Sequence, residues 1–204
     1  MARPKNQGAR RQQLIGAAKR AIAIHGLTGL RTKDVAAQSQ LSAGAVSYYY
    51  PDLAGLIRDV HSQELDRFYW SRLRDAEFAD DPRVKLCCTI RSGIPHAADD
   101  VDYQVLNEMH VQAFRDPFHA RLMANLFERE VSLYLPILES GAEQGLFTLR
   151  ASSLTIARNL VALEDAYGLH ILGGTPLGAD EAYNLIVANA ENATGCVLAG
   201  VDVR

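Results

Sequence analysis

The closely spaced helix start and stop signals between Gly26 and Pro51 constrain the fold of this chain most. Thr32 is predicted to cap a short helix, and Ser42 is predicted to cap a second short helix that Pro51 stops. Only the segment Gln40-Leu41-Ser42 separates the two helices. Two short helices joined by so tight a turn, after a longer first helix, indicate a helix-turn-helix.

The remainder of the chain also has helical periodicity, and strand-like alternation is scarce. The first helix is predicted over Arg10 to His25, and a fourth helix runs from Asp52 to about Phe78. Breaks at 80–82, 116–117 and 173–176 bound further helices, predicted at about 101–115, 117–144, 152–172 and 179–199. The sequence therefore predicts an all-α protein of about nine helices.

Charge is distributed unevenly along the chain. Residues 1–50 carry eight basic residues and one acidic residue, a net +7, whereas the rest carries 13 basic and 23 acidic residues, a net −10. A basic head on an acidic body suggests that the head meets a polyanion, although a solvated helix surface would show the same charges. We predict two domains, 1–51 and 52–204.

The outer face of the third predicted helix carries small and polar side chains. Val35, Leu41 and Val46 are spaced to lock the helix crossing, where Ala36 is small enough to permit it. Small residues would let the backbone approach the major groove, and tyrosine hydroxyls commonly anchor phosphates. The alternative is a helical corner with buried tyrosines. The candidates on the outer face are Ala43, Gly44, Ser47 and Tyr48, and Tyr49 lies beside them.

The stretch from Gly26 to Ile57, together with the preceding segment from Leu14, resembles the DNA-binding domain of the TetR family of bacterial transcriptional regulators. The resemblance covers about a quarter of the chain and includes the closing aromatic-Pro-x-x-x-x-Leu pattern. The resemblance implies that Thr32 and Lys33 bind phosphates of the DNA backbone, and that the third helix contacts bases in the major groove. It also implies that Tyr50 has a structural role.

The sequence departs from the family pattern at three positions. Gln40 stands where a glycine is common and would cost about 1 kcal/mol if its backbone is left-handed. Leu53 replaces the usual lysine, so phosphate binding would depend more on Arg10 and Arg11. Ser47 stands where a tyrosine is common.

The body resembles choline-sensing repressors of the same family, in segments such as Ala162 to Gly168. The resemblance implies a ligand-binding and dimerisation domain whose last two helices form an intersubunit bundle. An intramolecular core would show the same apolar stripes. The predicted homodimer interface is Leu160, Leu163, Tyr167, Ile171, Ala182, Ile186, Ala190, Ala193 and Val197.

A pocket for an unidentified small-molecule inducer is expected among aromatic and polar residues of the body's helices. For each of these residues, a place in the ordinary core or surface is the alternative. The candidates are Trp70, Tyr103, Asn107, His110, Phe114, Phe127 and Glu164.

Other classes of protein are disfavoured. No catalytic motif, cofactor fingerprint or metal-ligand spacing is present, so we expect no enzyme activity, no cofactor and no metal. The three cysteines show no disulfide framework, and no apolar run is long enough to span a bilayer. Both observations favour a cytoplasmic protein without a membrane partner.

The predicted function is a ligand-responsive repressor that binds pseudo-palindromic operator DNA. The alternative is a helical protein-interaction module without specific DNA binding.

Overall fold

The computed structural model describes residues 4–77, 79–198 and 200, and within them the chain forms nine α-helices and no strand. This confirms the all-α prediction. The predicted helix ends at Phe78 and residue 199 lie outside the described residues, and α9 ends at Thr194, before an αL glycine at 195. The helices are α1 Pro4–Gly29, α2 Thr32–Ser39, α3 Ala43–Tyr49, α4 Leu53–Glu77, α5 Pro82–Ser92, α6 Val101–Ala113, α7 Pro117–Glu143, α8 Ser153–Leu172 and α9 Ala179–Thr194.

By packing, the described chain forms two compact units. Unit 1 comprises residues 4–66 and 101–123, and unit 2 comprises the described residues of 67–100 and 124–200. Unit 1 is larger than the predicted domain 1–51, because the first half of α4 and all of α6 pack with α1 to α3. The functional boundary at residue 51 stays a prediction.

The core of unit 1 is built on the predicted face of α1. Leu14, Ala17, Ala18, Ala21 and Ile22 are each at most 1% exposed, which agrees with their helical spacing. The same core includes side chains of α2, α3, α4 and α6, namely Val35, Val46, Val60, Val105 and Met109. The short helices of unit 1 are thus held by tertiary packing.

Side-chain caps begin the helices of unit 1 much as the sequence indicates. The Ser42 hydroxyl accepts a hydrogen bond from the Ala45 amide at 3.1 Å. At the start of α2 the prediction is wrong by one residue, since Arg31 is the N-cap and Thr32 is already helical. The Arg31 amide donates to the Asp34 carboxylate at 2.9 Å, so the acidic residue of the first turn provides the cap interaction.

Helix α1 bends at Gly26, directly after His25, where the sequence predicts that the helix ends. The φ of 65° and ψ of 167° at Gly26 are not helical, and a further short helical segment continues to Gly29. The bend frees the Leu27 amide, which donates to the Glu108 carboxylate of α6 at 2.9 Å. A positive φ favours glycine at position 26, and a backbone bond therefore ties the bend to α6 within unit 1.

Unit 2 has its own core, formed by α5, α8, α9 and parts of α4 and α7. Its fully buried side chains include Leu86, Tyr134, Leu138, Leu160 and Ile186. No helix among the described residues combines the length and apolarity needed to cross a bilayer.

Candidate DNA-binding surface

Two side chains of α1 form hydrogen bonds to the end of α2, just before the turn that leads to α3. The Gln13 amide group donates to the Ser39 carbonyl at 2.8 Å, and the Arg20 guanidinium donates to the Gln38 carbonyl at 2.9 Å. These bonds satisfy carbonyls at the C-terminal end of α2. Gln40 follows with a φ of 59°, the one positive φ outside glycine in the described chain. The backbone at Gln40 is therefore left-handed, which is the condition under which the sequence analysis assigns a cost to this residue.

The outer face of α3 is open to solvent. Ala43, Gly44, Ser47 and Tyr48 are exposed, and Tyr48 is 72% exposed. On the opposite side Val46 is buried at 1% and fixes the helix on the core. A Cβ added at Gly44 would meet no protein atom closer than 3.9 Å, so nothing inside the unit demands glycine there. The small outer face is therefore free for a partner that approaches closely.

Three tyrosines follow one another at the end of α3, and their environments differ. Tyr48 and Tyr49 meet edge to face with ring centroids 5.2 Å apart, and Tyr49 is half-buried. Tyr50 is buried, and its hydroxyl donates to the Asp59 carboxylate at 2.7 Å. Burial and the Asp59 carboxylate raise the pKa of Tyr50, which therefore stays protonated. Tyr50 therefore has the buried, structural position that the family resemblance implies.

The candidate phosphate-binding residues also lie on unit 1. Lys33 and Arg11 are exposed, whereas Thr32 and Arg10 are partly buried. The Arg10 guanidinium donates to the Gln13 carbonyl oxygen at 2.7 Å, and the Arg11 guanidinium lies 4.9 Å from the Tyr50 ring centroid.

Lys19, a basic residue of the head, forms ion pairs within unit 1. The Lys19 ammonium lies 2.8 Å from the Glu64 carboxylate and also contacts the Asp102 carboxylate. Lys19 thereby links α1 to α4 and α6, and its charge balances acidic groups of the same unit.

A second polar cluster missed by the sequence analysis lies inside unit 1. The Nδ1 atoms of His61 and His119 are 2.6 Å apart, and the His61 Nε2 atom lies 3.3 Å from the Met123 sulfur. Burial, and then the positive charges that His119 and His110 would carry, lower the pKa of His61 to about 4. Burial also lowers the pKa of His119. Both rings are therefore neutral at neutral pH.

The seven candidate ligand residues are divided between the two units. Tyr103, Asn107, His110 and Phe114 belong to unit 1, and Trp70, Phe127 and Glu164 belong to unit 2. Phe114, just beyond α6, is 83% exposed, and Trp70 is 52% exposed, whereas Glu164 is buried at 2%. Their joint role as a ligand pocket stays a prediction.

Unit 2 contains a cavity of about 220 Å³ beside the Pro136 region of α7. Its wall includes Tyr69, Lys85, Ser132 and Pro136, and it includes none of the seven candidates. Ligand pockets usually occupy about 300–1,000 Å³, so this cavity accommodates only a small fragment in the present conformation.

Glu164 belongs instead to a buried ionic cluster in unit 2. The Arg72 guanidinium donates from Nη1 to Glu130 at 2.5 Å and from Nη2 to both oxygens of Glu164 at 2.8 and 2.9 Å. The Tyr134 hydroxyl donates a short hydrogen bond to Glu164. The same Nη2 atom lies 3.2 Å from the Thr89 carbonyl. Arg72, Glu130, Tyr134 and Glu164 are each at most 5% exposed.

Burial raises the pKa of both carboxyl groups in this cluster, and the Arg72 charge opposes that rise. A glycine makes room for the cluster, because a Cβ built on Gly93 would overlap the Glu164 carboxylate. A sequence signal for the cluster does exist. Arg72, Glu130 and Glu164 each interrupt an apolar stripe of their own helix.

The structure places most of the candidate dimer residues inside the chain's own core. Leu160, Ile171, Ala182, Ile186 and Ala190 are at most 4% exposed and pack within unit 2, so this conformation leaves them no surface for a second copy. Burial of these five residues agrees with the intramolecular alternative, because α8 and α9 pack on each other and α9 packs on α5. The dimer interface itself stays a prediction. Leu163, Tyr167 and Ala193 are partly buried against the same core, and Val197, beyond α9, is 77% exposed.

Within the described residues, no group of three or more His, Cys, Asp or Glu side chains is arranged to hold a metal ion. The buried His61 and His119 are therefore a pair of hydrogen-bonded rings without a third ligand of those types.

No protein-family model matches the sequence, and no curated protein matches it. Solved structures do match the fold. A transcriptional regulator from Saccharomonospora viridis in complex with choline has a TM-score of 0.84 and 18% identity, covering 92% of this chain and 98% of its own. A TetR transcription regulator from Haloarcula marismortui has a TM-score of 0.81 and 21% identity, covering 92% and 99%.

A third structure, AibR in complex with isovaleryl coenzyme A and operator DNA, has a TM-score of 0.67 and 15% identity, covering 88% of this chain and 97% of its own. The chain therefore has the fold of TetR-type transcriptional regulators over nearly its whole length. The fold class predicted from the sequence is confirmed.

Proposed function

We propose that the chain is a ligand-responsive transcriptional repressor of the TetR type that binds a pseudo-palindromic operator as a homodimer in the cytoplasm. The observation that carries the proposal is the exposed, small-residue face of α3, which Val46 fixes on the core of unit 1. The N-terminal half of that face, Ala43 and Gly44, lets the backbone approach base edges, and Ser47 and Tyr48 supply polar groups.

In the proposed complex, each copy places α3 in a major groove, with the two grooves about one helical turn apart. Lys33, Arg10 and Arg11 contribute sequence-independent attraction to phosphates, and Tyr49 contributes a phosphate contact. Lys19 contributes less, because its charge already balances Glu64 and Asp102.

We propose that two copies associate through the outer faces of α8 and α9. The apolar residues that the sequence periodicity indicates as the dimer interface are mostly buried within one chain. Leu154 and Leu169 on α8 and Leu185 on α9 are 42%, 57% and 43% exposed. Exposed leucines on neighbouring helices of one unit suit burial against a second copy.

Sedimentation velocity tests the dimer with Leu169→Glu combined with Leu185→Glu. The wild type should sediment at twice the chain mass of 22.4 kDa, and the double variant should sediment at that mass itself. Val111→Glu, at a 45% exposed position of α6, is the matched control and should remain dimeric. A double variant as dimeric as the wild type would refute this interface.

The fold alone does not identify the ligand, because similar structures contain ligands as different as choline and isovaleryl coenzyme A. We propose that an inducer binds the body and prefers a conformation in which the two heads no longer fit the operator. Titration of candidate inducers into the protein–operator complex should release the DNA. If no ligand changes operator affinity, the inducer half of the proposal fails and the DNA half stands.

Fluorescence anisotropy tests DNA binding directly. DNA from upstream of the protein's own gene is compared with unrelated DNA at about 150 mM salt. At least about a thousandfold tighter binding to the upstream DNA is expected of a specific regulator. No binding to any DNA at low salt would instead favour the helical protein-interaction module.

A further inference from the structure

The buried cluster around Arg72 has the composition of a binding site for an organic cation. Two carboxylates, a backbone carbonyl and a tyrosine hydroxyl lie within 2.5–3.4 Å of the terminal nitrogens of Arg72. The Arg72 Cζ atom also lies 5.5 Å from the Phe68 ring centroid and 6.0 Å from the Tyr134 ring centroid. Aromatic faces at about 6 Å or less attract a cation.

The charges of the cluster favour a cation as its occupant. Glu130 and Glu164 are two acidic groups around one guanidinium, and both are buried. A buried carboxylate that loses its cation pays a large desolvation penalty. Once the Arg72 side chain is removed, the two acidic groups are relieved of this penalty either by taking up protons or by binding a replacement cation.

The acceptors also select the shape of that cation. Glu130 and Glu164 come from α7 and α8 and bind different terminal nitrogens of one planar group, and Glu164 receives Nη2 with both oxygens. A planar guanidinium matches carboxylates in this way, whereas a quaternary ammonium has no N–H to donate.

We propose that this cluster is a binding site for a planar organic cation of the guanidinium or amidinium class, and that the chain's own Arg72 side chain occupies it in the wild-type protein. The site is enclosed, since Arg72 is 1% exposed, and Gly93 keeps the space that the Glu164 carboxylate needs. The inference does not depend on the proposed function. It implies that a free cation binds here only after the Arg72 side chain is removed.

The test is chemical rescue of Arg72→Ala, which removes the side chain beyond Cβ. Ethylguanidinium, which replaces the missing atoms, is added at low millimolar concentration, and thermal unfolding is followed by circular dichroism. At ten times its Kd it should raise the Tm of the variant by about 3–6 °C. Isothermal titration calorimetry should give one site per chain in the variant and none in the wild type.

Two additives control for shape and charge. Ethylurea has a similar planar shape and N–H donors but no charge, and tetramethylammonium has the charge but no N–H donor. Both should raise the Tm of the variant less than ethylguanidinium does. Arg158→Ala removes a half-exposed arginine of the same unit and should show no selective shift.

A double variant keeps the test decisive if Arg72→Ala alone does not fold. Arg72→Ala combined with Glu130→Gln lowers the buried negative charge while keeping a hydrogen-bonding side chain at position 130. Ethylguanidinium should still stabilise this variant selectively through Glu164. If ethylguanidinium stabilises neither variant more than ethylurea does, or if it binds the wild type equally well, the proposal is overturned.

Discussion

The Nδ1 atoms of His61 on α4 and His119 on α7 face each other at 2.6 Å inside unit 1. One ring must donate and the other must accept, so the contact holds one shared proton. Two protonated rings would bring two N–H groups face to face. The two rings are nearly coplanar, with an interplanar angle of 13°, and His61 is fully buried.

This contact predicts loss of stability in mild acid. Burial lowers the pKa of His61 from 6.5 to about 4, so between these values the unfolded chain binds a proton that the folded chain does not. Stability from this group is therefore present above pH 6.5 and declines as the pH falls toward 4, by up to about 3 kcal/mol. Urea unfolding at pH 7.5, 6 and 5 measures how the free energy of unfolding changes with pH. His61→Asn should show a shallower decline, and equal declines would contradict the assignment.

A second prediction concerns Gly93. Its φ of −90° suits any residue, yet a Cβ there would overlap the Glu164 carboxylate. Gly93→Ala should therefore lower the free energy of unfolding by about 1–3 kcal/mol through overpacking of a buried site. Gly8→Ala is the control, because a Cβ at Gly8 would meet nothing within 4 Å. Chemical denaturation compares the two, and a neutral Gly93→Ala would show that the cluster has room to move.

The left-handed turn gives a third prediction. Gln40 is exposed and has a φ of 59°, where a side chain is strained and glycine is not. Gln40→Gly should raise the free energy of unfolding by about 0.5–1 kcal/mol. Ala37→Gly, at an exposed helical position of α2, should instead cost about 1 kcal/mol. The same sign for both variants in urea titrations would count against the turn geometry.

The fourth prediction separates phosphate attraction from base reading. Lys33→Ala should weaken binding to upstream and unrelated DNA alike, and should reduce the slope of log K against log salt by about 1. Lys85→Ala, on α5 of unit 2, should leave both quantities unchanged. Anisotropy titrations at several salt concentrations measure the slopes. A Lys33 variant with an unaltered slope would remove this residue from the DNA-binding surface.

Local features were predictable from the sequence because their causes are local. The buried face of α1 and the Ser42 cap depend on residues within a few positions of one another. The same locality explains the error at Thr32, since Thr32 and its neighbour Arg31 both lie where the helix begins.

Features that join distant segments were not predictable in this way. Arg72, Glu130 and Glu164 lie on three different helices, and each interrupts the apolar stripe of its own helix. Only the packing of the helices shows that Arg72 binds both carboxylates. Periodicity also identified apolar stripes on α8 and α9 without showing that their buried members face the chain's own core. The exposure of Leu169 and Leu185 on the opposite faces of these helices is evident only from the structure.

The position of α6 in unit 1 has a consequence for exchanging parts between regulators. Val105 and Met109 are fully buried in the core that α1 builds, and Glu108 binds the amide that follows the bend at Gly26. A chimaera that transplants only residues 4–51 onto a foreign body would lose these three anchors. The transplanted segment would retain its DNA-reading helix only if the recipient supplied an equivalent helix, so residues 101–113 are best moved together with the head.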